Sequence, residues 1–249
     1  MMPLAGSFGA PSPGPRTAAG RMSSGIIAEV FRRAAWAAAL LALWGSGYFL
    51  IAHSPAMRHA RDLAMPFDSA IPFVAWTVWI YLAGLPFIAV PLFAVRAEPA
   101  FQRVARSYAL VLLASFACFG AMPVSAHSLR EAAVAAAPDP SSSAIRALRS
   151  IDPECNLFPS LHVSLSALSC WSMADAQPRL RWVFVALLTL ICLSVATTKQ
   201  HLVLDVVGGL CLAWAVRVVP GHSRQTLWAA RGSLAGVLAL FGLLYWRAA

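Results

Sequence analysis

From position 34 onward the chain is a series of apolar runs, most of them near twenty residues, parted by short polar breaks. That pattern restricts the outcome severely. A helix needs about 20 apolar residues to cross a bilayer's hydrocarbon core, and backbone placed there must satisfy its hydrogen bonds within the protein. Composition agrees. Of 249 residues, 59% are hydrophobic and 12% charged, with a mean hydropathy of +0.69; a soluble domain carries about twice that share of charge. The expected fold is all-α: a polytopic membrane bundle with six core transmembrane helices and a seventh at the C-terminus. The runs fall at 34–52, 71–95, 107–124, 159–174, 182–197, 201–219 and 227–246.

Three parts are expected: a disordered cytoplasmic tail over 1–30, a membrane-embedded domain over 31–220, and an additional C-terminal helix over 221–249. The first 25 residues are rich in Pro, Gly, Ala and Ser and show no periodicity. Prolines crowd the approach to the first apolar run, so that run reads as a retained anchor and not as a signal peptide. Loop 125–158 is the longest connection. Its Ala/Pro/Ser-rich middle, 132–143, is expected to be mobile.

Basic residues set the orientation. With the N-terminus in the cytoplasm, twelve of the 19 Arg and Lys lie on the inner side and seven on the outer. Acids lean the other way, with Asp62, Asp68, Glu131, Asp139, Asp152 and Glu154 outside. The arginines are scattered and not interleaved with aromatics, which argues against nucleic acid as a partner. Four of five cysteines sit inside apolar runs, so neither a disulfide framework nor a metal knuckle is expected.

Polar groups that persist in such a chain need a reason. Asp205 sits in an apolar run, where an ionised carboxylate is costly and marks a functional candidate. His201 precedes it by four residues, on the same helical face. A carboxylate on one ring nitrogen fixes the tautomer and leaves the other free to attack. The same pair could instead only staple two helices. His162 follows Phe158-Pro159-Ser160-Leu161. Proline favours a helix start there, whose free N–H groups and positive dipole end suit an anion, and Ser160 adds a hydroxyl. The plain alternative is a capped helix with an interfacial histidine. The predicted topology carries His162, Lys199, His201 and Asp205 to the outer interface at similar depth. Such a set supports phosphoryl transfer. His201 would attack phosphorus, Lys199 and helix N–H groups would hold the oxygens, and His162 would protonate the leaving oxygen. A His/His/carboxylate metal site can be drawn from the same residues, but it would leave the anion cradle unused; no metal or other cofactor is expected. His53, His59 and His222 have no matched partner.

At these residues the chain resembles the type 2 phosphatidic acid phosphatase superfamily, which includes vanadium haloperoxidases. Its Pro-Ser-Gly-His signature is similar to Pro159-Ser160-Leu161-His162, and its His-x-x-x-Asp to His201–Asp205. The resemblance implies a phosphohistidine at His201, a leaving-group acid at His162 and an orienting Asp205. Leu161 replaces the glycine, Val195 stands where the third signature carries arginine, and the first signature has no clean match; Arg130 is the cation nearest its expected place. These departures resemble the branch of the inositolphosphorylceramide and sphingomyelin synthases, where Phe-Pro-Ser-Leu-His is familiar, as is a lysine shortly before the histidine. The segment Phe67 to Phe73 resembles that branch too, and reads as a helix start with Asp68 near its N-terminus. The resemblance implies hydrolysis of a lipid phosphate at the non-cytoplasmic face of a bacterial inner membrane. Transfer of a phosphate or phospho-headgroup to a lipid or glycan alcohol, and a non-catalytic protein keeping the fold, are the alternatives.

Overall fold

The computed structural model describes residues 18–132 and 139–218. Among them are six helices of 16 residues or more: α1 (Ala18–Ala52), α3 (Val78–Ala94), α4 (Glu98–Ala121), α7 (Leu161–Ala176), α8 (Arg181–Thr197) and α9 (Val203–Val218). Three shorter helices, α2 (Pro66–Ala70), α5 (His127–Ala132) and α6 (Pro140–Ile151), lie in the connections at one end of the bundle. Two-residue strands β1 (Arg61–Asp62) and β2 (Val124–Ser125) pair in parallel and tie two of these connections together. The fold is all-α. The 227–246 run lies outside the described residues.

Among the described residues, four stretches are long and apolar enough to cross a membrane: Gly25–Ala52, Ala75–Ala94, Glu98–Ala121 and Pro178–Thr197. Helices α7 and α9 have 16 residues each, which is about 24 Å of rise against a hydrocarbon core of about 30 Å. Burial explains why they read as shorter and more polar. Helix α7 packs against α3, α4, α8 and α9 and is buried over nearly its whole length. A helix surrounded by others has no lipid to satisfy and can carry serines if they are bonded. Ser164 donates to the carbonyls of Ser160 and Gly209, and Ser169 donates to that of Leu165. Lipid-facing apolar side chains are instead exposed on α1, α3, α4 and α8, such as Leu41, Phe93, Leu113 and Trp182.

Two segments depart from expectation. Residues 18–30, assigned above to the tail, already belong to α1; Ile26, Ile27, Ala28 and Val30 lack the breakers of the preceding stretch, and Glu29 pairs with Arg33 one turn on. Residues 140–143, expected to be mobile, open helix α6. Asp139 caps it by accepting from the Ser141 and Ser142 N–H groups, with Pro140 at its first position. Its Ile145 is buried and its Leu148 packs on the bundle core.

Candidate active site

Three connections meet at the end of the bundle where α7 and α9 begin. Helix α7 is entered through a cis Phe158–Pro159 peptide bond. Ser160 caps it, its Oγ accepting from the Val163 N–H at 3.3 Å. The Ser160 N–H donates to the Asp205 carbonyl at 3.0 Å, so the two motifs are joined through backbone. Gly209 makes this approach possible: a Cβ there would stand 2.7 Å from the Ser160 carbonyl oxygen.

His201 lies in the 198–202 turn before α9. Asp205 is fully buried behind it, with Oδ2 3.4 Å from His201 Nδ1 and accepting from the Leu202 N–H at 2.9 Å. With Nδ1 turned to the carboxylate, Nε2 is the nitrogen left for chemistry. His162, on the first turn of α7, has no hydrogen-bond partner on either ring nitrogen. Its position comes from packing. Tyr81 on α3 stacks on the ring at 4.2 Å between centroids and 6° between planes. Gly84, one turn further, gives the edge room: a Cβ there would lie 2.9 Å from His162 Nε2.

His162 and His201 line one cavity of about 470 Å³ between α1, α3, α4 and α7. At its polar end stand the two imidazoles with Asp152, Asn156, Tyr48 and Tyr81; most of the remaining wall is Ala, Leu and Ile. Arg130 connects to this end. It is 1% exposed, and its Nη2 donates to Asp152 Oδ2 and to the Gln200 carbonyl, each at 3.0 Å, while Nε and Nη1 have no partner. Asp152 also accepts from the Tyr48 hydroxyl at 2.6 Å, and Asn156 donates to the Tyr48 carbonyl at 2.9 Å. Buried polar groups are almost always bonded, so an imidazole with neither nitrogen partnered in this cavity marks a place for a polar ligand. Arg130, with two unpartnered nitrogens, stands behind Asp152 and itself lines a second pocket with His127, Arg146 and Arg149.

Not every expected residue reaches that cavity. Asp205 acts from behind His201. Ser160 is fully buried and engaged in capping. Lys199 turns away: its ammonium donates to the carbonyls of Asp68 and Ile71, and its backbone is left-handed, φ 58°. Asp68 completes the strap, accepting from the Met65 N–H of its own helix start and from the Val203 N–H that opens α9. Burial lowers the pKa of the Lys199 ammonium and raises that of the Asp68 carboxyl, while their opposite charges work against both shifts. Further bonds hold the same turn. Val74 N–H and Arg149 donate to the Thr197 and Thr198 carbonyls, and the Thr77 and Thr197 hydroxyls meet at 2.8 Å.

Gly84, Asp152, Asn156 and Tyr48 were not singled out from sequence as site residues, and Tyr81 stood out only together with the segment that resembles the synthase branch, with no role at the site. A buried tyrosine two turns into an apolar run looks like any interfacial aromatic, and Asp152 looks like one more loop acid. Only Asn156 leaves a trace, as a polar residue in the left-handed region, φ 68°, just before the Pro-Ser-Leu-His motif.

No curated protein and no solved structure matches the chain. A family model does, over residues 57–219, a stretch that takes in both histidines, Asp205, Arg130 and the strap: the chain belongs to the PAP2 superfamily.

Proposed function

We propose that the protein is a membrane enzyme that cleaves phosphate from a lipid phosphate through a phosphohistidine on His201. The observation that carries this reading is a cavity with an unpartnered imidazole and an aspartate-backed imidazole at one end and hydrocarbon walls along the rest. His201 Nε2 attacks phosphorus; the P–O bond to the lipid breaks as His162, protonated beforehand, gives its proton to the departing oxygen. Asp205 balances the charge on His201. His162 then takes a proton from water, whose oxygen displaces His201 and releases phosphate. Arg130, which is bonded to the cavity's Asp152 and keeps two unpartnered guanidinium nitrogens, is assigned to the phosphoryl oxygens, with Ser160 and Lys199 acting through the backbone they hold. Six helices span the bilayer in this reading, with the N-terminus cytoplasmic and the site on the opposite face of a bacterial inner membrane.

A second reading, transfer to a lipid or glycan alcohol, differs only in what attacks the phosphorus of the phosphohistidine and displaces His201. The Phe158-Pro159-Ser160-Leu161-His162 run, similar to that of the synthase branch, favours keeping it. Incubation with ³²P-labelled lipid phosphates and acid-sensitive trapping tests both. Wild type should form a labelled enzyme and release phosphate, added acceptor alcohols should divert the label if transfer operates, and His201→Ala should form none. His53→Ala, whose exposed ring bonds the Phe49 carbonyl away from the cavity, should match wild type. Equal loss in both variants would remove the site from His201.

A further inference from the structure

The cavity continues well past the imidazoles. Its lining on α3 runs from Tyr81 to Leu92 and on α1 from Tyr48 back to Ala37, a stretch of twelve residues on each helix, whose eleven steps span about 16 Å at 1.5 Å per residue. That is half a hydrocarbon core of about 30 Å. Leu92, Leu40 and, on α4, Tyr108, all buried, stand at the far end. The side is open: Leu41 is 64% and Leu85 41% exposed, and Ala38 and Ala89 beside them are exposed as well. The groove is thus a slot between α1 and α3, with its polar end at the histidines and its closed end one leaflet deep.

We infer that this slot takes a single hydrocarbon chain of the lipid phosphate, entering sideways from the bilayer between α1 and α3, and that its closed end sets the longest chain held. The proposal rests on the reading that a phosphate sits at His162 and His201. One chain fits the slot; a second chain of a two-chain lipid stays outside, in the bilayer. An extended alkyl chain with all torsions staggered advances about 1.25 Å per carbon, so the slot holds about 13 carbons. Ala37, Ala38 and Ala89 determine its inner width, because larger side chains there would fill it.

Two measurements on the detergent-solubilised full-length protein test the inference. The first uses non-hydrolysable alkylphosphonates bearing a diazirine at the chain end. A probe of about 12 carbons should crosslink near Leu92 and Leu40, and one of about 5 carbons near Tyr81 and Leu85, as located by peptide mass spectrometry. The second uses monomeric alkyl phosphates of increasing length. In wild type kcat/KM should rise to about 12 carbons and then level; in Ala89→Trp it should level about four carbons earlier, while Leu113→Trp on the lipid-facing side of α4 should follow wild type. Crosslinks at Leu113, or depth-independent crosslinks, overturn the slot, as does an Ala89→Trp profile that superimposes on wild type. Depth-ordered crosslinks with no phosphate release from any substrate would leave the slot standing and remove the catalytic reading.

Discussion

Two cations compete for the role of phosphate clamp, and their surroundings separate them. Arg130 keeps two guanidinium nitrogens without partners behind Asp152, which lines the cavity. Lys199 has its ammonium on two carbonyls and is 5% exposed; moving it to a phosphate would abandon both bonds and release the turn that carries His201. Lys199 is therefore argued to be a positioning residue. Lys199→Met should lower kcat on the order of 100-fold, the cost of misplacing a reacting group by about 1 Å, with little change in inhibition by inorganic phosphate. Arg130→Lys keeps the charge but loses the fork of donors and should weaken phosphate inhibition as well as rate. If Lys199→Met weakens phosphate inhibition as much as Arg130→Lys does, the assignment reverses.

At the scale of helices, the site depends on close approach between elements far apart in sequence. Gly84 on α3 faces the edge of His162 while Tyr81 covers one ring face, so an imidazole pushed by a Cβ there could yield only by sliding off Tyr81 into the cavity, out of its place. Gly84→Ala should cost about 1–3 kcal/mol in overpacking, offset by up to about 1 kcal/mol of gained helix propensity, and should reduce turnover far more than it lowers the midpoint of thermal unfolding in detergent. Gly120→Ala, which meets nothing within 4 Å, should leave turnover unchanged and serves as the comparison. A Gly84→Ala enzyme with full activity would mean that His162 is not held as described. The glycines also show where legibility in the sequence ended. The histidines and Asp205 stood out because a polar residue in an apolar run is costly wherever it sits, and that cost is local. Gly84, Tyr81 and the Asp68 strap matter only through a partner 78 or more positions away, and no periodicity encodes such a pairing. Helix α6 was legible in principle: Asp139-Pro140-Ser141-Ser142 is a helix start, masked by the Ala/Pro run before it. The length of α7 was the hardest to judge, because hydropathy reports contact with lipid and α7 touches mainly other helices.

For the molecule as a whole, function depends on which way the bundle is inserted. The site end carries α2, α5, α6 and the 198–202 turn, and the other end carries the short turns at 95–97 and 177–180. Around the latter lie Arg96, Arg103, Arg179, Arg181 and the buried Arg217, whose Nη2 donates to Asp175 Oδ2 at 2.6 Å. The site end holds the acids Asp62, Asp68, Glu131, Asp139, Asp152 and Glu154, most of them bonded to N–H groups or cations there. Insertion that retained arginines in the cytoplasm would point the histidines outward, and under the proposed function a phosphate released there would leave on the side away from the cell's nucleotide pools. Single cysteines decide this. Glu131, exposed on α5, and Arg179, exposed in the 178–180 turn, are replaced in turn by cysteine in a background where the five native cysteines are serine or alanine. In intact spheroplasts a membrane-impermeant maleimide should label Glu131→Cys, and should label Arg179→Cys only after lysis. The opposite pattern would place the histidines in the cytoplasm and restrict the substrate to lipids whose phosphate faces the cell interior.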